Sequence, residues 1–303
     1  MITQIGEIIK KKRLANKLTQ SELAENICTQ ATISNLETKD SLPTISILLK
    51  ITDKLSIELD EIYEYTLGAS NDYANIFKEV RELCGKSKHK DAYHLIKDNI
   101  AFDKLETIYE LKQYYYYLGI TSLIGYGKIS DGIYNFNQSL ATESGKSIDF
   151  LDVSAINGIA VAYSLSNEDD KALTYYEQSI EKLDELLTLI DTMKDSLEIA
   201  KIYYNTAKFY SKIKQYNKAV NLCSLGIQLL KNENLTYYSE FLFYEKGFNL
   251  MQLKKIEQSE KYYLYALVLA DINNNQHIFD VITNDVKLYN IKNVGIDTRI
   301  QLD

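Results

Sequence analysis

Residues 18–55 read LTQSELAENICTQATISNLETKDSLPTISILLKITDKL, and the order of caps, apolar positions and turns within them decides the architecture of the N-terminal part. Thr19 is a good N-cap and Glu22 is placed to return the bond, so Thr19-Gln20-Ser21-Glu22 is a capping box that opens a short helix. Leu23, Ala24 and Ile27 then face inward. The chain turns at Cys28, and Thr29 can cap a second helix from about Gln30 to Thr38, with Ile33 and Leu36 as its buried stripe. Gln30, Ala31, Ser34, Asn35 and Thr38 are left facing outward. Pro43, the only proline of the chain, ends this unit. It precedes a helix from about Ile45 to Leu55, whose Leu48, Leu49, Ile51 and Leu55 close a small core. A further helix is expected over about Leu59 to Tyr65.

Small and amide side chains on the exposed first turns of a short helix are what base-edge reading needs. Gln and Asn pair bidentately with adenine, and small residues permit close approach. The pattern resembles the Cro/C1-type (XRE-like) helix-turn-helix domain over roughly residues 5–66. The resemblance implies that Gln20 bonds a phosphate, that Gln30 and Ala31 face bases, and that Asn35 lies on the same side one turn later. Thr32, Ser34 and Thr38 complete the expected DNA-facing set. One departure stands out: the usual turn glycine is absent, and Glu25-Asn26-Ile27-Cys28-Thr29 is a residue shorter than the common form.

Charge is neutral to this reading. The chain carries 34 Lys and Arg against 42 Asp and Glu, a formal net charge of -8, so no global basic field drives association with nucleic acid. Basic charge is local, in Lys10, Lys11, Lys12, Arg13 and Lys17 at the end of the first helix. Such a run is also what a solvated helix face looks like at the negative end of the helix dipole. With so few cations per subunit, one domain alone binds DNA weakly, and a dimer on paired half-sites solves that problem.

At 303 residues the chain fits a small domain plus a larger one. Cys28, Cys84 and Cys223 are widely spaced and odd in number, which suggests neither a disulfide framework nor a zinc site, and the chain reads as intracellular. The start has no signal-type apolar core. The most apolar later run, Tyr114 to Gly127, is too short and too rich in Tyr and Gly to span a membrane. Nothing resembles an enzyme: His89, His94 and His277 form no metal-like cluster, there is no nucleophile elbow or phosphate loop, and Gly125-Tyr-Gly127 reads as an inter-helix turn. No cofactor is expected.

From about Asp72 onward helical periodicity is almost unbroken, and it repeats. Small residues fall twelve and then seven positions apart in Ala160, Ala172 and Ser179, in Ala207, Ala219 and Gly226, and in Gly247, Ser259 and Ala266. Those are the points where the paired helices of a tetratricopeptide (TPR) hairpin come closest, with Tyr163, Tyr176, Tyr210 and Tyr263 filling the gaps between them. The step of about 40 to 47 residues exceeds the ~34 of the standard repeat, which implies longer helices. An all-α fold follows: a helix-turn-helix domain over 1–66, a linker over 67–71, and over 72–303 a right-handed superhelix of about five TPR-like hairpins. The hairpins are expected near 72–100, 105–143, 147–190, 195–231 and 235–271, with a capping helix near Gln276 to Tyr289.

In TPR proteins the concave wall is built from fixed positions around the first small residue. Here these hold Asn157; Lys201, Asn205, Lys208 and Lys212; and Tyr244, Glu245, Phe248 and Gln252. An Asn can hold a peptide amide through both donor and acceptor, and lysines can receive a carboxylate. A helix-turn-helix joined to five degenerate TPR hairpins resembles the RRNPP peptide-pheromone receptors, and within them the PlcR-like regulators. The stretches LTQSELAENIC, Ile-Tyr-Tyr-Asn205-Thr-Ala-Lys and Tyr244-Glu-Lys-Gly247 carry the local likeness. The resemblance implies a cytoplasmic, homodimeric transcription regulator of double-stranded operator DNA, controlled by an imported short signalling peptide, with Asn157 and Asn205 on the peptide backbone. The position matching Glu245 is usually Gln, so a different peptide is implied. The rival reading keeps the DNA-binding head and gives the repeats a protein partner.

Overall fold

The computed structural model describes residues 3–38, 43–55, 57, 71–105, 107–142, 148–189, 196–289 and 291, and among these every regular element is helical. The chain divides into two compact units, one of residues 1–155 with 190–194 and one of residues 156–189 with 195–303. The expected helix near Leu59–Tyr65 and most of the linker over 67–71 lie outside the described residues.

The first unit opens with α1 (Thr3–Ala15), α2 (Gln20–Ala24), α3 (Gln30–Thr38) and α4 (Ile45–Lys54). The Thr19 box closes as the sequence predicts: Thr19 Oγ1 accepts from the Glu22 N–H at 3.2 Å, and Glu22 Oε2 accepts from the Thr19 N–H at 2.7 Å. Ile5, Ile9, Leu23, Ile33, Leu36, Leu48, Ile51, Leu55 and Ile57 pack into one apolar cluster. Each such side chain fully withdrawn from water contributes roughly 1.5–3 kcal/mol. Gly6 lets α1 lie against α3, because a Cβ there would sit 2.1 Å from the Leu36 carbonyl oxygen. Asn26 takes a left-handed backbone (φ 64°) and supplies the turn for which no glycine is present.

Two hairpins follow in the same unit: α5 (Asn71–Gly85) with α6 (His89–Asn99), and α7 (Ile108–Ile120) with α8 (Ile129–Ala141). A second capping box, Thr107 with Glu110, opens α7. A π-turn over Thr121–Gly125 closes it, and Gly127 (φ 66°) completes the inter-helix turn read from Gly125-Tyr-Gly127. The helix α9 (Phe150–Leu165) carries the division between units within its length.

In the second unit α9 pairs with α10 (Asp169–Leu189), α11 (Ser196–Lys212) with α12 (Tyr216–Asn232), and α13 (Ser239–Gln252) with α14 (Ile256–Ile272); α15 (Gln276–Leu288) caps the end. The small-residue triplets are buried, and they mark close approach: a Cβ on Gly226 would lie 2.9 Å from Leu242 Cδ1, and one on Gly247 3.2 Å from Tyr263 Cδ2. Ser259 Oγ donates to the Gly247 carbonyl at 2.7 Å, tying the two helices at the same point.

Each of these hairpins turns through a left-handed residue seven places after its first small residue: Asn167 (φ 60°), Lys214 (φ 62°) and Lys254 (φ 63°). In each the next residue's N–H returns to the helix, as Lys255 N–H does to the Leu250 carbonyl at 3.0 Å. A lysine in this conformation carries a Cβ penalty of roughly 1–2 kcal/mol that glycine does not. Replacing Lys254 by Gly is therefore expected to stabilise the protein by about 1 kcal/mol, read as an upward shift of the thermal midpoint; a downward shift would show that the lysine side chain outweighs its backbone strain.

Candidate functional site

Two sets of side chains carry the candidate chemistry. The first lies on α2 and α3. Thr29 caps α3, accepting from the Thr32 N–H at 3.2 Å. Gln30, Ala31 and Thr38 stand exposed, and Thr32, Ser34 and Asn35 are half-buried. Thr38 Oγ1 is turned back to the Ser34 carbonyl at 2.6 Å. Lys54 of α4 donates to the Glu22 and Glu25 carbonyls at the end of α2, at 2.6 and 3.1 Å, where the helix dipole favours a cation.

The Gln20 amide is engaged at both ends. Its Nε2 donates to Glu37 Oε2 at 2.8 Å, and its Oε1 accepts from Gln30 Nε2 at 2.7 Å. One amide hydrogen of Gln20 remains for a phosphate, so that expected contact and the orienting of Gln30 are compatible. Behind Gln20, Glu37 is held by Arg13, whose Nε and Nη2 reach the two carboxylate oxygens at 2.6 and 2.9 Å while Nη1 donates to the Leu18 carbonyl at 2.7 Å. Burial pushes the Glu37 carboxyl up, but the bonds from Arg13 and Gln20 and the charges of Arg13 and Lys10 outweigh it and hold its pKa below the usual value.

Arg13 therefore does not belong to the solvated basic run. It is buried, and Lys10, Lys11, Lys12 and Lys17 remain at the surface or partly so. The sequence does hold one signal of this pair: Glu37 follows Leu36 in the buried stripe of α3, where a charge needs a partner.

The second set lies on α9, α11 and α13. Asn157 is buried, and its Nδ2 donates to Ser179 Oγ at 3.1 Å and Thr206 Oγ1 at 3.4 Å. Its Oδ1 accepts from Asn205 Nδ2 at 3.0 Å. The two asparagines read as peptide-holding are thus brought together and bonded to each other, and of the two Asn205 is the more exposed. Lys201 is paired with Glu198 at 2.7 Å, and Lys212 with Asp169 at 2.7 Å, whereas Lys208 is exposed and lies over the Tyr204 ring at 5.9 Å.

On α13, Tyr244 and Phe248 are half-buried and Glu245 is buried. Tyr244 Oη and Tyr263 Oη both donate to Asp285 Oδ2 at 3.0 Å, and Phe248 meets Tyr289 edge-on at 6.3 Å between centroids. Burial, with Asp285 next in weight, pushes the Tyr244 hydroxyl pKa well above the usual range. Asp285 and Asn249, both partners of this face, gave no sign in the repeat pattern because they fall outside its small-residue positions.

Residues 9–62 match the family model described as Helix-turn-helix. The N-terminal domain is a helix-turn-helix domain. None of the curated proteins compared with the chain matches its sequence. Among solved structures, the chain is similar to Bacillus thuringiensis PlcR in complex with the peptide PapR7 and DNA, at 22% identity and a TM-score of 0.66, covering 93% of this chain and 99% of that one. It is similar to PlcR in its apo form at 20% identity and a TM-score of 0.60, covering 94% and 99%. A variant of the Streptococcus dysgalactiae SHP pheromone receptor Rgg2 matches at 13% identity and a TM-score of 0.50, covering 93% and 98%. These likenesses show a shared fold of helix-turn-helix and helical repeats along nearly the whole chain. No helix among the described residues is long and apolar enough to cross a membrane.

Proposed function

We propose that this chain is a cytoplasmic transcription regulator that binds operator DNA as a homodimer and is controlled by a short signalling peptide held by its repeats. The observation that carries the reading is the likeness along nearly the full length to PlcR, a protein solved with both a peptide and DNA. On the DNA side, α3 offers Gln30, Ala31, Thr32, Ser34, Asn35 and Thr38. The Arg13–Glu37–Gln20 chain supports it by fixing the Gln30 amide before DNA arrives. Preorganised side chains lose less freedom on binding.

On the repeat side, Asn205, oriented by Asn157, presents its amide to a peptide backbone, Lys208 receives a carboxylate, and Tyr244 and Phe248 supply apolar contact. Lys201 reaches the same ligand only by sharing its ammonium with Glu198. A peptide touching several hairpins favours one pitch of the array, and small rotations per repeat add up. The coupling expected is ~1–3 kcal/mol, or roughly 5- to 150-fold in operator affinity.

Two substitutions in the full chain separate the halves. Gln30→Ala is expected to lower discrimination between DNA sequences by about 1–3 kcal/mol while peptide affinity is unchanged, and Asn205→Ala to weaken peptide binding while basal DNA affinity is unchanged. Equal damage to both activities by both substitutions would contradict this division of labour. Repeats that bind a protein partner and no peptide would instead favour the rival reading.

A further inference from the structure

We propose that the ligand taken by α11 and α13 carries a cationic group, an ammonium or guanidinium, that docks against Glu245. The inference rests on the peptide reading above and names the chemistry of its ligand.

Glu245 is buried, and its Oε1 accepts from Asn249 Nδ2 at 2.8 Å. The same Nδ2 donates to the Glu245 main-chain carbonyl at 2.7 Å. Asn249 is fully buried, and the other end of its amide, Oδ1, has no hydrogen-bond partner. A carboxylate and an unanswered carbonyl oxygen are therefore held on adjacent turns of one helix.

The groups that face Glu245 come from several elements. From α11 these are Lys208, Ser211 and Tyr204; from α12, Cys223; from α15, Asp285. Burial raises the Glu245 pKa and Asp285 adds to the rise, whereas the bonds from Asn249 and Ser211 and the charge of Lys208 oppose it. Two acids thus face one lysine, and that lysine is exposed and drawn over the Tyr204 ring.

Asp285 already takes the Tyr244 and Tyr263 hydroxyls, which leaves Asn249 Oδ1, beside the Glu245 carboxylate, as the acceptor without a donor. What is missing there is a group with donors only. An ammonium or guanidinium is such a group, since neither has an acceptor to set against Asn249 Oδ1. A ligand carboxylate would be repelled by Glu245 and Asp285 and is left to Lys208. A glutamine at 245 would make the same bond to Asn249 without the cost of burying an acid. The acid gains its advantage when a cation arrives.

The test uses the full chain and a positional-scanning library of short fluorescent peptides, blocked at both ends, with one position at a time fixed as Lys, Arg, Gln or Glu. At one position Lys or Arg is expected to bind about tenfold or more tighter than Gln or Glu. E245Q is expected to lose that preference while still binding the Gln pool, and circular dichroism checks that it remains folded. Binding without cationic preference, or a preference that survives in E245Q, would overturn the proposal alone. If no pool binds at all, the peptide reading itself falls and the proposal with it.

Discussion

Glu37→Ala is expected to destabilise the N-terminal domain by about 3–5 kcal/mol, because it strands the buried Arg13 guanidinium without its carboxylate. Arg13 is among the buried charged residues, and both its Nε and Nη2 depend on Glu37. Replacing the pair together, Arg13→Met with Glu37→Leu, is expected to cost far less, since no uncompensated charge remains. Urea unfolding followed by circular dichroism compares the two variants. Both are expected to lose sequence discrimination on DNA, because the Gln20 amide that orients Gln30 loses its anchor on Glu37. A double variant that kept full discrimination would show that the relay does not position α3.

The pH dependence has a definite sign. The folded-state pKa of Glu37 lies below its unfolded value, so its contribution is complete above the unfolded value and is lost as pH falls through the folded one. Wild-type stability should fall on acidification through the carboxylate range, and the double variant should show a weaker fall.

The second large effect is expected at Lys112. Its Nζ is buried and pairs with Asp149 Oδ2 at 2.7 Å and Asp152 Oδ1 at 2.6 Å. Lys112→Met keeps the buried stem and removes the charge, leaving two acids facing each other. A loss of about 3–5 kcal/mol is expected at neutral pH.

The Asp152 pKa is already raised, first by burial and then by Asp149, against the bond and charge of Lys112. Without the lysine it rises further. A carboxyl whose folded-state pKa is raised adds stability that is full below the unfolded value and is lost as pH rises through the folded one. The penalty of Lys112→Met should therefore shrink between neutral and mildly acidic pH. A penalty that grew on acidification would contradict this account.

What the sequence made legible was local chemistry and fixed intervals. Thr19 and Glu22 announced a helix start because both halves of the box lie within one turn, and the structure has that box. The triplets such as Gly247, Ser259 and Ala266 announced hairpins because only small residues tolerate the close approach found there, with Ser259 bonded directly to the Gly247 backbone. The last three hairpins, α9–α10, α11–α12 and α13–α14, each carry one such triplet, with its first residue on the first helix and the other two on the second.

Long-range pairing was not legible. Arg13 and Glu37 are far apart in sequence, and Arg13 sits in a run of lysines that disguises it. The turns at Lys214 and Lys254 carry neither glycine nor asparagine, so their left-handed backbone gave no sequence cue. Asn157 was placed on an open wall by its position beside Ala160. In the folded chain Ser179 and Thr206 close over it, because a periodic pattern assigns a helix face without saying what the neighbouring hairpin brings to it.

The central claim is that a peptide in the repeats changes how the helix-turn-helix domain holds DNA. The most direct measurement is a fluorescence anisotropy titration of a duplex selected from random DNA by the full chain, with and without saturating peptide drawn from those encoded beside its gene. The account predicts a change in affinity of roughly 5- to 150-fold that disappears in Asn205→Ala. A bound peptide that leaves the DNA titration unmoved would contradict it.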